Sequence, residues 1–386
     1  MRSKKEMKQV ALAFPMGVEH LEEVMFGIRS YAMEHGKWMF VTSPDTHSLT
    51  VGDLEGWSGD GAIGLINNLN DLKLVRGFNM PFVNNSGAIC DTGVPRVRVD
   101  YRSIGVKAAE FLLRKGYQNY AYYGLKNIWY SDEIGKGYEQ ALGSNAESLS
   151  HFYVKSTLAV KRPLAFDSSK LEAWLLALPK PVAIMTPHDP RGVEIIQTCY
   201  RLGINVPQDI AVMSANDDIK TCTQAEPKMS SIARNGKVIG YEAAKLLDKL
   251  MQGKAAPGND IVINPLEVVE RESTNNLALH NEDFKEVINY IQVNMSESFT
   301  IDELCYEFKR TRRWLEYSFK ENLHQSPYVF ILGQRIKRVQ QLLKEEETHK
   351  ISGIASMSGF SNTHQMNVAF KKNVGCSPRE YRASLS

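Results

Sequence analysis

The chain has 386 residues, of which 43% are apolar and 23% charged, an ordinary globular composition that suggests two or three domains. No apolar run approaches the roughly 20 residues of a membrane-spanning helix. The N-terminal apolar stretch is also too short for a signal peptide before Pro15 and Glu19. The five cysteines lie at least 23 residues apart, which excludes a Cys-x-x-Cys motif. A cytoplasmic protein with reduced thiols is expected.

The charge is unevenly distributed along the chain. Residues 300–386 contain 14 Lys and Arg against 9 Asp and Glu, a net of +5. The first 299 residues contain 32 against 35, a net of −3. A small basic part behind a larger, slightly acidic part points to a polyanion as the partner of the C-terminal region.

The first 272 residues alternate short apolar runs with amphipathic helical segments. This alternation is typical of βαβ units and parallel sheets. Because the region is long for a single sheet of this kind, two α/β lobes are predicted. The candidate strands are Gln9–Phe14, Trp38–Thr42, Ala62–Ile66, Phe82–Asn84, Tyr120–Tyr123, Val182–Met185, Ile210–Met213 and Ile261–Ile263.

From residue 273 onward the strand signals end and every segment has helical spacing. The polar stretch 273–280 predicts a linker, and 281–386 predicts an all-α domain. Within the preceding α/β region, 1–272, the first lobe is expected to comprise 8–117 and 235–252, and the second lobe 118–232 and 258–272.

The all-α domain contains an internal repeat of about fifty residues. Each copy predicts a helix, a short turn and a second helix, which is the order of a helix-turn-helix unit. Thr300 with Glu303 forms a capping-box pattern at the start of the first copy. The repeated residues are Ile301, Leu304, Cys305, Phe319, Lys320, Ser326, Pro327 and Phe330, which recur as Ile351, Ile354, Ala355, Phe370, Lys371, Ser377, Pro378 and Tyr381.

The second helix of each predicted unit carries polar side chains on the face away from its apolar residues. Arg, Asn and Thr can hydrogen-bond base edges in the major groove, and Lys can contact phosphates. Double-stranded DNA is therefore the expected partner. The candidate DNA-binding residues are Arg312, Arg313, Glu316 and Tyr317 in the first copy, and Asn362, Thr363, His364, Asn367, Lys371 and Lys372 in the second.

The C-terminal motifs resemble those of AraC-type transcription regulators over residues 281–386. The shared residues are Ile351, Ile354, Ala355, Gly359, Phe360, Ser361, Phe370, Lys371, Lys372, Gly375, Ser377, Pro378, Tyr381 and Arg382. One turn departs from the family: Lys309 and Arg310 stand where Gly and an apolar residue are usual. A left-handed turn at a non-Gly residue costs about 1–2 kcal/mol. Either the first copy docks less regularly, or these two residues themselves approach phosphate.

Four stretches of the α/β region resemble the effector-binding part of LacI-type regulators, which has the fold of periplasmic sugar-binding proteins. They are DGAIGLI (60–66), the long run at 97–124, INVPQDIAVMSANDD (204–218), and VIGYEAAKLL (238–247) followed by ERESTN (270–275). The resemblance covers residues 8–275 and implies a sugar-binding cleft between two lobes. Only about seven residues precede the first strand, so the DNA-binding domain is expected behind this fold.

The same resemblance implies which residues reach the cleft. Carboxylates and amides suit a sugar because they accept or donate paired hydrogen bonds. The family commonly carries an Arg at one cleft position, and Ile134 stands there in this chain. This departure leaves open whether the cleft holds D-xylose, another pentose, a different sugar or no ligand. The candidate ligand-binding residues are Asp100, Asp189, Asn216, Asp217, Phe14, Met16 and His20, with Trp129 or Tyr130 stacking on the sugar.

Together the two resemblances imply a sugar-responsive, homodimeric transcription regulator that acts as an activator through RNA polymerase and responds to D-xylose or a related pentose. No dinucleotide site is indicated, because the G-x-G-x-x-G match at 59–64 precedes a strand instead of following one. Gly-x-Ser-x-Gly and Walker-type motifs are absent and the nine histidines show no metal-ligand spacing, so no catalytic or metal site is indicated either. Two alternatives stay open: a sugar-processing enzyme with a DNA-binding tail, and a ligand-free DNA-binding protein whose front domain only dimerises.

Overall fold

The chain divides into two units, an α/β unit and an all-α unit, as the sequence predicts. The first comprises Met1–Leu113 with Tyr117–Asn276, and the second comprises Arg114–Gly116 with Leu277–Ser386. The computed structural model describes residues 7–35, 38–41, 48–155, 168–275, 282–297, 299–323, 325–345 and 350–383.

The first lobe of the α/β unit is built on a four-stranded parallel sheet of order β2-β1-β3-β4. A single bridge between Asn84 and Arg96 connects β4 to β5, which pairs in parallel with β11. Apolar strand residues such as Ala11, Ala62 and Phe82 form the core with the flanking segments. The strands are β1 (Lys8–Ala13), β2 (Trp38–Val41), β3 (Gly61–Gly64), β4 (Phe82–Asn84), β5 (Val97–Val99) and β11 (Ile261–Ile263).

The second lobe is built on a six-stranded sheet of order β12-β10-β9-β8-β6-β7. The pairs are parallel except for β12 with β10, and the central strands are buried on both faces, as parallel sheets covered by helices require. The strands are β6 (Asn119–Lys126), β7 (Ser150–Lys155), β8 (Val182–Met185), β9 (Ile210–Asn216), β10 (Ser230–Ala233) and β12 (Val268–Val269).

The helices of this unit show where the lobes divide. A Cβ on Gly240 would lie 1.9 Å from the carbonyl oxygen of Val24, so α8 packs directly on α1 of the first lobe. A Cβ on Gly105 would lie 2.0 Å from the carbonyl oxygen of Ile134, so α3 packs on α4. The helices are α1 (Glu19–His35), α2 (Leu69–Arg76), α3 (Tyr101–Arg114), α4 (Trp129–Leu142), α5 (Ser169–Ala177), α6 (Asp189–Leu202), α7 (Ile219–Gln224) and α8 (Gly236–Met251).

Two parts of the predicted lobe division are therefore corrected. The first lobe was expected to extend over 8–117, which includes α3. Instead, α3 packs on α4 of the second lobe, and glycines at the contact allow the two helix backbones to come this close. The predicted second-lobe segment 258–272 is split, since β11 pairs with β5 and β12 with β10. The chain consequently crosses between the lobes after β5, after β10 and after β11.

The predicted linker 273–280 also begins inside the first unit. Ser273 and Thr274 are fully buried, and the Ser273 hydroxyl donates to the carbonyl of Val212 at 2.6 Å while accepting from the amide of Ser230 at 2.9 Å. These bonds tie the segment to β9 and β10. Residues 276–281 lie outside the described part of the chain.

The second unit contains two helix-turn-helix repeats with separate apolar cores, which confirms the repeat read from the sequence. Leu315 and Phe319 are buried in the first core, and Met366 and Phe370 in the second. The helices are α9 (Glu282–Val293), α10 (Ile301–Glu307), α11 (Arg312–Leu323), α12 (Pro327–Glu345), α13 (Ile351–Met357), α14 (Thr363–Val374) and α15 (Pro378–Ala383).

The turns of the two repeats have the same backbone path. Lys309 has φ 49° and its repeat partner Gly359 has φ 71°. In both turns the backbone amide of the next residue donates a hydrogen bond of 3.0 Å to a carbonyl of the preceding helix, from Arg310 to Cys305 and from Phe360 to Ala355. The first repeat is thus regular despite Lys309, which carries the left-handed conformation that glycine adopts without a steric penalty.

Candidate functional site

A cavity of about 890 Å³ lies between the two lobes of the α/β unit. Its walls follow the carboxyl ends of β1, β3 and β4 in one lobe and of β8, β9 and β10 in the other, the usual ligand position in open α/β sheets. Its polar lining residues are His20, Asn67, Asn85, Ser86, Tyr130, Ser168, His188, Asp189, Arg191, Glu194, Gln197, Thr198, Arg201, Asn216, Asp218 and Arg234.

Five buried side-chain atoms that belong to cavity-lining residues have no hydrogen-bond partner within the described part of the protein. They are Nδ1 of His20 and of His188, Oδ1 of Asn85 and of Asn216, and Nε of Arg234. An unpaired buried polar group costs about 1–3 kcal/mol. All five belong to residues that line one cavity, and they include both donors and acceptors, as suits a hydrogen-bonding ligand.

Both cavity histidines are neutral near physiological pH. Burial, with Arg234 and His188 adding repulsion, lowers the pKa of His20 well below its usual value. Burial together with Arg191 and Arg234 lowers the pKa of His188 to about 3. A neutral imidazole offers one donor and one acceptor nitrogen, which suits hydroxyl groups.

Asp189 begins α6 and lines the cavity, as predicted, but its oxygens are already engaged by the protein. It is fully buried and accepts hydrogen bonds from the hydroxyls of Ser214 and Ser231, the latter at 2.7 Å, and from the amide of Asp218 at 2.8 Å. Burial raises the pKa of Asp189 to about 6, although these bonds oppose the shift. Its first role is to hold β9, β10 and the Asp218 segment together.

Asn216 and Asp217 both follow the core of β9 with positive φ, 113° and 54°, and they point to different surroundings. Asn216 lines the cavity with its partner-free Oδ1. Asp217 does not line it and forms an ion pair with Arg271 at 2.7 Å. The prediction that both reach the cleft is corrected for Asp217, because Arg271 provides its counter-charge outside the cavity.

Asp100, also predicted to reach the cavity, instead caps a helix. Its carboxylate accepts from the amides of Arg102 at 3.1 Å and Ser103 at 3.2 Å, at the start of α3. The negative charge also suits the positive end of the helix dipole. Asp100 is therefore corrected from a ligand-binding to a capping residue.

Two aromatic residues at the start of α4 were predicted as alternatives for stacking on the ligand. Tyr130 lines the cavity, whereas Trp129 lines a separate hollow of about 510 Å³. The Trp129 ring lies 4.6 Å from the Arg96 guanidinium and 4.8 Å from that of Arg98. Trp129 thus packs against β5, where two cations occupy its ring, and Tyr130 remains the stacking candidate.

Of the three candidates near the end of β1, only His20 lines the cavity. Phe14 is 1% exposed and belongs to the protein core. Met16 is 48% exposed, and its amide donates to the Ser48 hydroxyl at 3.2 Å, outside the cavity lining. These two predictions are corrected: Phe14 is buried in the core and Met16 is exposed, while Pro15 between them lines the cavity with Val18 and His20.

Several cavity residues were not predicted from the sequence. Asn85 and Ser86 directly follow β4, and His188 and Arg234 follow β8 and β10, so polar residues after strand ends were the available signal. Ile134 is fully buried in α4. The cavity obtains its guanidinium groups from Arg191, Arg201 and Arg234 instead.

The second unit exposes the predicted reading residues of α11. Arg313, Glu316 and Tyr317 are exposed, and Tyr317 has 63% of its surface accessible. Arg312 is exposed as well, but it forms ion pairs with Glu316 at 3.1 Å and Asp302 at 3.4 Å. Arg313 has no such ion pair within the described residues, which leaves its guanidinium available to a partner.

In the second repeat, α14 presents His364, Asn367, Lys371 and Lys372 as exposed residues, with Thr363 half-buried at its first turn. Asn362 lies just before the helix and caps it, accepting from the amide of Gln365 at 2.8 Å. Asn362 therefore has a structural role in addition to the predicted one. The predicted capping box of Thr300 and Glu303 at α10 is confirmed.

Comparisons with known proteins find family models that match part of each unit. Residues 109–274 match the family described as periplasmic binding protein-like domain, and residues 304–384 match a helix-turn-helix domain family. The chain is 24% identical over 383 residues to the xylose operon regulatory protein of Escherichia coli strain K12, covering 97% of this chain and 96% of that protein. It is also 23% identical to the xylose operon regulatory protein of Haemophilus influenzae, covering 97% of this chain and 98% of that protein.

Solved structures agree with this domain order. The structure of the xylose-binding transcription activator xylR matches with a TM-score of 0.63 and 23% identity, covering 99% of both chains. A LacI-type regulator from Alkaliphilus metalliredigens in complex with D-xylulofuranose matches 69% of this chain and 98% of its own, with a TM-score of 0.54 and 14% identity. The chain is thus similar to these regulators in its order of domains, a periplasmic binding protein-like domain followed by a helix-turn-helix domain.

Proposed function

We propose that this protein is a transcription regulator that binds DNA through its two helix-turn-helix repeats and responds to a small sugar held between the lobes of its α/β unit. D-Xylose or a related pentose is the proposed effector, since the relatives that span nearly its full length are xylose operon regulatory proteins. The proposed state is a cytoplasmic homodimer that activates transcription through RNA polymerase. Within the described residues no helix is long and apolar enough to cross a membrane.

The observation that carries the sugar assignment is the set of partner-free polar atoms in the cavity. The amide oxygens of Asn85 and Asn216 can only accept hydrogen bonds, and Nε of Arg234 can only donate. A hydroxyl group does both, so a polyhydroxylated ligand suits groups of both kinds. Tyr130 adds an aromatic ring to the cavity wall, where an apolar side of a sugar ring can pack beside the Arg234 guanidinium that lies 5.6 Å from the ring.

The DNA-binding proposal is supported by the exposed faces of α11 and α14. Both helices bury one apolar side and present cationic and amide groups on the other, at the position that enters the major groove in helix-turn-helix proteins. The intervening helix α12 has 19 residues and is therefore about 28 Å long. It is a rigid spacer between the two repeats.

Calorimetry of the full chain against a panel of pentoses and hexoses tests the sugar assignment. We expect binding of D-xylose or a related pentose, and a loss of affinity of at least about tenfold in Asn216→Ala, which removes one hydrogen-bond acceptor from the cavity. Asn70→Ala, on the exposed face of α2, is the matched control and should bind as the unaltered chain does.

Two results would contradict the proposal. If no sugar in the panel gave a heat of binding, the proposed sugar effector would be wrong. If Asn216→Ala bound the sugar with the same affinity as the unaltered chain, the ligand would lie elsewhere. Recovery of a chemically altered pentose after incubation would make the unit an enzyme and not a sensor.

A further inference from the structure

Arg234 occupies one of the three connections that join the lobes. It directly follows β10 of the six-stranded sheet and precedes α8, which packs on α1 of the first lobe. The next residue, Asn235, has φ 61°, so the chain turns sharply at this point. A ligand that binds the Arg234 side chain therefore acts directly on this connection between the lobes.

The Arg234 guanidinium lies against two aromatic rings, one of which follows another connection between the lobes. Its Cζ atom is 5.7 Å from the Tyr101 ring and 5.6 Å from the Tyr130 ring. Tyr101 starts α3 immediately after the crossover from β5, and Tyr130 lies in the first turn of α4. These contacts orient the planar group so that it is pre-organised for a partner in the cavity.

Arg234 differs from the other two cavity arginines in having no carboxylate partner within the described residues. Arg191 pairs with Glu194 at 2.6 Å, and Arg201 pairs with Glu172 at 3.7 Å. The Nε of Arg234 is buried and has no acceptor. A guanidinium has five N–H donors in a fixed fork and no acceptor, so it binds best to two neighbouring oxygen atoms.

Both a vicinal diol and a carboxylate supply two neighbouring oxygens, and the rest of the cavity separates them. Asn85 and Asn216 present acceptor oxygens, which need hydroxyl hydrogens that a carboxylate lacks. The carboxylates of Asp189 and Asp218 also line the cavity and would repel a ligand anion. The surroundings therefore favour adjacent hydroxyls of a neutral sugar.

We propose that Arg234 determines which sugars the cleft accepts by holding two adjacent hydroxyl oxygens, and that it passes their binding to the crossover between the lobes. This inference rests on the proposed sugar-sensing function, and it adds that an effector without a suitably placed hydroxyl pair binds weakly and does not alter DNA binding.

The test compares Arg234→Lys with the unaltered full chain and with Arg102→Lys, a control at an exposed arginine of α3. Lysine keeps the charge and loses the fork, so the comparison isolates the paired donors. Calorimetry measures the affinity for D-xylose and for D-xylonate. Fluorescence anisotropy measures affinity for a duplex that the unaltered chain selects from random sequences, with and without saturating D-xylose.

We expect Arg234→Lys to bind D-xylose at least about tenfold more weakly, which is the effect of losing one hydrogen bond to a charged group. At saturating sugar it should show no sugar-dependent change in DNA affinity, although its sugar-free DNA affinity is unchanged. Arg102→Lys should match the unaltered chain in all measurements, and D-xylonate should bind more weakly than D-xylose.

Three outcomes would overturn the proposal, and they are distinguishable from failure of the proposed function. Unchanged D-xylose affinity in Arg234→Lys would remove Arg234 from the site. Tighter binding of D-xylonate would assign the guanidinium to an anion. A full DNA response in sugar-saturated Arg234→Lys would refute its role at the hinge. If the unaltered chain bound no sugar, the proposed function and this inference would both fall.

Discussion

The carboxylate of Asp189 is fully buried, and its hydrogen bonds do not offset the burial, so its pKa is raised to about 6. An aspartate in an unfolded chain ionises near pH 4. The folded chain therefore takes up a proton before the unfolded chain does as the pH falls. Its contribution to stability is present in full below about pH 4 and is lost as the pH rises through about 6.

We predict that Asp189→Asn removes this dependence, because the amide stays neutral over the whole range. The difference in unfolding free energy between pH 4 and pH 7 should change by about 2 kcal/mol relative to the unaltered chain. Urea unfolding of the α/β unit at a series of pH values measures it. Glu147→Gln, at an exposed acid, is the control. Parallel pH profiles for Asp189→Asn and the unaltered chain would refute the prediction.

Arg312 and Arg313 are adjacent in the sequence and were predicted alike, but their surroundings differ. Arg312 already pairs with Asp302 and Glu316. We predict that Arg313→Ala weakens binding to a selected duplex by about 1–3 kcal/mol at every sugar concentration, as expected for a base-edge contact. Arg312→Ala should cost less, because part of its charge is already neutralised. Anisotropy titrations at fixed salt measure both, and an equal loss would contradict the distinction.

At the scale of single residues the sequence could not separate neighbours that face different ways. Consecutive helical residues differ by about 100° in direction, which sends Tyr130 into the cavity and Trp129 onto Arg96 and Arg98. The neighbours Asn216 and Asp217 both have positive φ angles, and their side chains likewise face different surroundings. Residue type identified the chemistry, but direction depended on packing that a single sequence does not reveal.

At the scale of elements, the turn of the first repeat tests the cost of a left-handed residue. Lys309→Gly removes the steric penalty of about 1–2 kcal/mol and adds chain entropy to the unfolded state. We predict a net stabilisation of about 1 kcal/mol. Gly359→Ala, at the equivalent turn, should destabilise, since its Cβ would lie 2.5 Å from the Met295 carbonyl oxygen. Chemical unfolding of the helical unit measures both, and destabilisation by Lys309→Gly would contradict the argument.

β10 and β7, two of the strands that were not predicted, lack the continuous apolar run of a central buried strand. β10 begins with Ser230 and Ser231, polar residues in a buried strand, which are tolerated because they bond Thr274 and Asp189. β7 lies at the sheet edge and alternates half-buried with exposed residues. The central apolar strands were predicted because both of their faces are covered. The helical repeat was predicted because its buried positions recur at fixed spacing.

At the scale of the whole molecule, a sensor is useful only if the two units influence each other's binding. If D-xylose changes the affinity of the chain for its duplex by some factor, the duplex must change the affinity for D-xylose by the same factor. A coupling of about 1–3 kcal/mol, typical of allosteric proteins, corresponds to about 5–150-fold. This equality holds whatever the arrangement of the units.

We therefore predict equal coupling factors when sugar is titrated with and without duplex and when duplex is titrated with and without sugar. Calorimetry gives the first ratio and anisotropy the second, at one salt concentration because DNA affinity depends steeply on salt. Ratios of one in both experiments would mean that the α/β unit binds sugar without controlling DNA binding. In Asn216→Ala the change in DNA affinity at a fixed, subsaturating sugar concentration should be smaller and should return in full at saturating sugar, since the substitution weakens effector binding and lies in the first unit.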